Sequence, residues 1–414
     1  MFYYSAGGVD WINNTGWIST DSACAWHGVV CSDLTGKPTE LRLKQNALSG
    51  SLPDEIGAIE SITVIQVFQN NLTGAIPASI YTLPEIVAVD FEENQFTGEL
   101  FPDELFSASA TLKFYRVGNN ALSGTIPNAI SNLTLLRDLW ISDNNVGGDI
   151  PDSLTELVNL KSFLASNSGL GGTIPPQIGN LENLLQLDLS SNNLGGVIPE
   201  SIGTLSKLEK MYIQGNALTG SIPNSSSQIL LLNEFFADDN NLVGSIPSGF
   251  SELTNLQNFT LANNTLTGEI PPFTSPVLTF IDFKNNRLTD EIPSSIFESP
   301  ELRVMIVSNN LLTGTIPVNY ATAPKLTDLW LNGNFLTGPI PDPLPGQLLN
   351  IEEVLLYNNT LSGDVPDGFC TLREDFPEQF LFLQADCEPF DGTDDIANPC
   401  APGCCTTCFQ GRQV

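Results

Sequence analysis

One phrase comes back along almost the whole of this 414-residue chain. LRLKQNALSGSLP at 41–53 returns as IQVFQNNLTGAIP at 65–77 and LDLSSNNLGGVIP at 187–199. Further copies are YIQGNALTGSIP at 212–223 and WLNGNFLTGPIP at 330–341. Anchored on its asparagine, the phrase falls at Asn46, Asn70, Asn94, Asn120, Asn144, Asn192, Asn216, Asn240, Asn264, Asn286, Asn310, Asn334 and Asn359. Ser168 fills the remaining slot, and Asp386 marks a truncated last copy. The step is mostly 24 residues, with 26 before Asn120, 22 before Asn286 and 25 before Asn359. Length alone would suggest about three ordinary domains. A fixed period replaces them with one stack, because a single unit of this size cannot bury its own apolar face.

Each repeated position has a physical reason. The L-x-L alternation predicts a short strand with its leucines turned inward. The asparagine is expected to be structural, its amide bonding backbone left unpaired where the chain turns. The glycine four residues later allows a backbone conformation closed to other residues; only the Asn286 turn lacks it, carrying Asp290. A proline then fixes φ and ends the ladder, as at Pro53, Pro77 and Pro127. The Asn94 turn departs, with Phe101 in that slot.

Charge narrows the function classes. Asp plus Glu number 47 against 15 Lys plus Arg, a net charge of −32. That excludes nucleic acid as a partner, since phosphates need a basic surface, and disfavours an anionic membrane surface. No apolar run reaches the roughly 18 residues of a membrane span. His27 is the one histidine, so sites needing two histidines are out of reach. Nothing matches a calcium-binding loop, and no cofactor or metal is expected.

The pattern LxLxxNxLxGxIP at 24 residues resembles the plant-type subfamily of leucine-rich repeat proteins, which includes receptor ectodomains and secreted inhibitors of pectin-degrading enzymes. The segment 24–31, CAWHGVVC, is similar to that family's N-terminal cap, and the ending CAPGCCTTC at 400–408 resembles secreted leucine-rich repeat proteins of microalgae such as diatoms. The resemblance implies a leucine-rich repeat solenoid of the α/β horseshoe class. It would have a parallel sheet on the concave face, 3-10 and short-strand segments on the convex side, and disulfide caps at both ends. The expected organisation is a cap over 1–38, repeats over 39–369 and a cysteine-rich cap over 370–414. Within it Cys24 should pair with Cys31. The other six, Cys370, Cys387, Cys400, Cys404, Cys405 and Cys408, allow fifteen connectivities that spacing does not rank. A zinc knuckle in the tail is the rival reading, without a histidine to support it. Cysteines gathered at the ends of a stack, and absent from its repeats, point to an extracellular or cell-surface location. Sequons at Asn13, Asn71, Asn132, Asn224, Asn258, Asn263 and Asn358 agree with it. The opening MFYYSAGGVDW has no leader character, so an upstream signal peptide or anchor is expected.

Strand alternation leaves the residues six, four and two places before each asparagine facing solvent. Aromatic and apolar residues there need explaining, because large exposed apolar patches mark contact surfaces. Three groups stand out: Trp140 with Leu164, Tyr212 with Phe236, and Val304, Ile306 and Trp330 with Leu355. Phe382 and Leu355 are expected to lie under the C-terminal cap. Carboxylates share the face, among them Asp90, Glu92, Asp138, Asp188, Asp238, Asp282, Asp328 and Glu353. A glycan on Asn258 or Asn263 would shield the tenth turn. The favoured footprint is therefore Val304, Ile306 and Trp330, rimmed by Asp328 and Glu353.

The resulting expectation is a non-enzymatic recognition module that binds a protein, peptide or glycan on its concave face, with a co-receptor as a candidate second partner. The alternative is a structural or adhesive cell-envelope glycoprotein. A carbohydrate-active enzyme is more remote: Asp188 and Asp238, two turns or about 10 Å apart, have a suitable separation, but an open sheet lacks the cleft that raises a catalytic carboxyl.

Overall fold

The side chain of Asn264 shows what holds one turn to the next. Its Oδ1 accepts the Leu242 N–H at 2.9 Å, and its Nδ2 donates to the carbonyls of Ala237 at 3.0 Å, Leu261 at 3.1 Å and Ala262 at 3.1 Å. Asn70 does the same for Leu48, Leu43 and Val67. Each amide thus satisfies backbone that the turn leaves without a ladder partner. Ser168 reproduces only the donor half, its hydroxyl donating to Ile141 O at 3.1 Å and Ser166 O at 3.0 Å.

This computed structural model describes residues 1–363, 365–375, 382–386 and 407–409. The repeats are parallel strands of a leucine-rich repeat solenoid, as the phrase predicts, and they fall into two compact units, 1–208 and 209 onward. In the first unit the strands Pro38–Arg42, Val64–Gln66, Ala88–Asp90, Phe114–Arg116, Asp138–Trp140, Ser162–Leu164 and Gln186–Asp188 pair in parallel at matching repeat positions. A second sheet runs behind them through Ser49–Gly50, Asn71–Ala75, Gln95–Glu99, Ala121–Thr125 and Asn145–Gly147. The inward leucines, such as Leu139 and Leu187, are fully buried.

The cap of the first unit is an aromatic cluster. Trp11 and Trp17 meet at 5.0 Å, edge to face, and Trp17 meets Trp26 at 5.0 Å. Both buried indoles are anchored, Trp11 Nε1 donating to Ala6 O and Trp17 Nε1 to His27 O. Cys24 and Cys31 are disulfide-bonded. Val29–Cys31 then pairs antiparallel with Pro38–Arg42, so the open edge of the first repeat strand is covered.

In the second unit Lys210–Tyr212, Glu234–Phe236, Asn258–Thr260, Phe280–Asp282, Val304–Ile306, Asp328–Trp330, Glu353–Leu355 and Phe382–Asp386 pair in the same way. Its core contains a phenylalanine cluster: Phe250 stacks on Phe259 at 5.0 Å, and Phe259 meets Phe283 edge-on at 5.1 Å. The tail adds something the repeat phrase did not announce. Thr407–Phe409 joins Phe382–Asp386 as a further parallel strand. Cys387, Cys400, Cys404 and Cys405 lie outside the described residues, as do the side chains of Cys370, Cys408 and Phe382, so the expected pairings of the tail fall there too.

The glycine slot is left-handed throughout, as at Gly74 (φ 79°) and Gly268 (φ 78°), and Asp290 is held there at φ 66°. Proline does more than end a strand. In most turns it immediately precedes a 3-10 segment, as Pro53 does Asp54–Ala58. In the turn carrying Phe101 the proline comes one residue later, at Pro102, and opens the longer segment Asp103–Ala110. Phe101 itself is buried against Tyr115 at 5.9 Å.

Candidate functional site: the solvent face of the strands

The first unit centres on Arg116. Its guanidinium lies 4.0 Å from the centroid of the Trp140 ring and 5.3 Å from that of Phe114. It donates from Nε to Asp138 Oδ2 at 3.1 Å and sits 3.7 Å from Asp90 Oδ2. Asp138 and Asp90 are both buried. The Trp140 indole N–H is satisfied by Ser162 Oγ at 2.9 Å. Trp140 was expected to offer a free platform; instead, a cation from its own sheet covers one side of the ring. Glu92, half-buried beside this cluster, is pushed up to about 7, first by burial and then by the charges of Asp90, Glu93 and Asp138, with Arg116 opposing. Leu164 is half-exposed, and Asp188 turns back on its own chain, accepting from Ser190 N at 3.0 Å and Ser190 Oγ at 2.7 Å.

In the second unit the rings of Tyr212 and Phe236 meet at a tilt of 55° with centroids 5.1 Å apart. The Tyr212 hydroxyl donates to Glu234, which also pairs with Lys210 at 3.0 Å. Beyond them opens a depression of about 560 Å³ walled by Phe236, Phe280 and Val304. Its floor is polar. Asp238 accepts from the Thr260 hydroxyl and from Ala262 N at 2.8 Å, while Asp282 pairs with Lys284 at 2.8 Å. Burial raises the Asp238 carboxyl; the Thr260 and Ala262 donors pull the other way, and nearby Asp282 adds to the rise.

Further along the same unit, Trp330 stands between Ile306 and Leu355 in register. The expected apolar patch is smaller than the sequence suggested. Ile306 is 6% exposed and Leu355 8%, whereas Val304 and Trp330 stay half-exposed. Asp328 and Glu353 rim them, also half-buried. Burial raises the Glu353 carboxyl, the Trp330 indole N–H opposes that, and Asp328 adds to it. Asn71, Asn132, Asn224, Asn263 and Asn358 are exposed, while Asn13 and Asn258 are half-buried. The Asn263 amide is tied to Asp239 Oδ1 at 2.7 Å and to Asn285 Nδ2 at 2.6 Å.

Two groups escaped notice in the sequence, Arg116 as an organiser and the carboxamides of Gln214 and Asn332. All three stand in the solvent-facing columns, where reading for polar residues as well as for aromatics would have found them. Among the described residues no cluster of His, Cys, Asp and Glu could hold a metal ion. No described helix is long and apolar enough to cross a membrane.

The Leucine Rich Repeat family model matches residues 135–157, 183–205, 277–298 and 325–346. No curated protein sequence matches the chain. Among solved structures, the plant peptide hormone receptor RGFR1 in complex with RGF2 is similar at 33% identity and a TM-score of 0.75, over 84% of this chain and 56% of that one. A TDR receptor matches at 31% and 0.74, over 88% of this chain and 67% of that one. The Arabidopsis receptor kinase HAESA ectodomain, in complex with an IDA peptide hormone ligand, matches at 25% and 0.65, over 86% and 72%. The chain therefore spans little more than half of RGFR1 and two thirds of the TDR receptor. A shared repeat phrase, a shared parallel stack and these identities have one reading: this chain belongs to the leucine-rich repeat family, in its plant type.

Proposed function

We propose that the chain is a non-enzymatic recognition module that binds an extended peptide, alone or as part of a protein, on the solvent face of its strands. The observation that carries this is the second unit's depression, with Phe236, Phe280 and Val304 as apolar walls over a floor of Asp238 and Asp282. Aromatic walls supply contact area, and the floor carboxylates add a few placed polar groups, the combination found at binding sites. Trp330, Val304, Asp328 and Glu353 extend the same face. Relatives that hold peptide hormones support the reading. Among the described residues the depression is open rather than a deep cleft in which a carboxylate pair would act as acid and base, which favours binding over chemistry. The cap disulfide favours a place outside the cytosol. A net charge of −32 favours a basic ligand.

The test is selection of dodecamer peptides from a random library on the whole chain, followed by calorimetry. Phe236→Ala and Trp330→Ala should each cost about 2 kcal/mol of binding to the selected peptides. Leu311→Ala, off the strand face, should cost almost nothing. Equal losses at all three positions, or none, would defeat the reading.

A further inference from the structure

Two carboxamide oxygens on the strand face of the second unit are buried and have no hydrogen-bond partner: Gln214 Oε1 and Asn332 Oδ1. Asn332 is only 6% exposed; Gln214 is half-buried, with its oxygen covered. Both stand two residues before their repeat's asparagine, in one column, and alternation with the buried Ile213 and Leu331 turns them to the solvent side of the strands. Two other acceptors in that column have structural partners. Asp238 Oδ1 takes the Ala262 N–H at 2.8 Å, and Ser142 Oγ takes the Ser166 N–H at 3.0 Å. Gln214 and Asn332 alone among these are left open. A buried acceptor without a donor is destabilising, so its retention calls for a donor from elsewhere.

The two oxygens are five turns apart, about 24 Å at the spacing of paired strands. The Phe236–Phe280 depression lies in the interval. An extended chain covers about 24 Å in roughly seven residues. The donor that such a chain offers at every residue is its main-chain N–H. We infer that Gln214 and Asn332 are the two end stops of a peptide track: an extended peptide crosses the strands, one main-chain N–H donating to Gln214 Oε1 and another, about seven residues away, donating to Asn332 Oδ1. This rests on the peptide-binding reading above and adds its register, its span and the group recognised. Main-chain donors make the two end stops indifferent to side-chain identity, and leave discrimination to the depression between them.

The experiment uses the peptides selected on the whole chain, each resynthesised with a single N-methyl group walked along its backbone. Two positions six to eight residues apart should each lower affinity at least tenfold. Gln214→Met should abolish sensitivity at one of them and Asn332→Leu at the other. Both variants should keep or raise the melting temperature, since each removes an acceptor that the free protein leaves unpaired. Selected peptides that bind but show no such pair, or keep both sensitivities in the variants, overturn the track and leave peptide binding intact. A melting temperature lowered by either variant also overturns it, because the amide would then be structural. If no peptide is selected at all, the broader reading fails, and the track with it.

Discussion

At Asp290 the backbone works against the side chain. Thirteen repeats place glycine at this left-handed position, and here an aspartate sits at φ 66°. Asp290→Gly should raise stability by about 0.5–1 kcal/mol, measured by chemical denaturation, because the Cβ penalty disappears. Ser168 is the complementary case. Its single hydroxyl proton is shared between two carbonyls, and it lacks the acceptor that Asn192 Oδ1 extends to Leu170 N at 3.0 Å. Ser168→Asn should stabilise by about 1 kcal/mol, whereas Asn264→Ala should cost about 2 kcal/mol or more by orphaning backbone in two turns. Glu92 makes a pH-dependent claim. Its folded value, about 7, is raised, so the folded state holds a proton that the unfolded state releases earlier. Stability from this group therefore falls as pH rises from the ordinary glutamate range through about 7, and the deficit is complete above it. Glu92→Gln should raise the melting temperature at pH 8 and change it little at pH 5. A gain of equal size at both values would show that the carboxyl is not the cause.

Among the elements, the N-terminal cap and the second sheet explain how short strands persist. Three-residue strands are marginal alone, and they hold because each is paired on both sides and backed by a leucine or phenylalanine layer. The first repeat strand has no repeat before it, so the cap supplies an antiparallel partner and an aromatic cover. The Cys24–Cys31 bond closes a loop of sequence separation 7. A loop so short should contribute about 2 kcal/mol through the unfolded chain. Reduction, or replacement of both cysteines by alanine, should therefore lower the melting of the first unit and leave that of the second unchanged. Hydrogen exchange at Val29–Cys31 and Pro38–Arg42 would report it directly.

For the whole molecule the dominant quantity is the charge of −32. The described ion pairs neutralise little of it; those of Arg116 and Lys284 engage acids that are already buried. Self-repulsion should make the melting temperature rise between about 0.01 and 0.15 M salt, as the screening length falls from about 30 to 8 Å. A basic ligand should show the opposite kinetic sign, with association slowing over the same range while dissociation changes little. Stopped-flow mixing with a selected peptide separates the two.

Period, strand position, the asparagine ladder and the left-handed slot were all set by local sequence, because each repeats a constraint that one turn imposes on the next at fixed spacing. Asp290 was legible for that reason before any coordinates. The candidate site was legible only as columns. Alternation says which side chains face solvent, but not which of them their neighbours then cover. Ile306 proved buried, Trp140 was taken by Arg116, and Asp188 turned back to Ser190, all through contacts between residues 2 to 24 positions apart whose side-chain rotamers no period fixes. The orphaned oxygens of Gln214 and Asn332 belong to the same class. Whether an amide finds a partner depends on the side chains that the adjacent turns place beside it, and that is decided only when the turns are stacked.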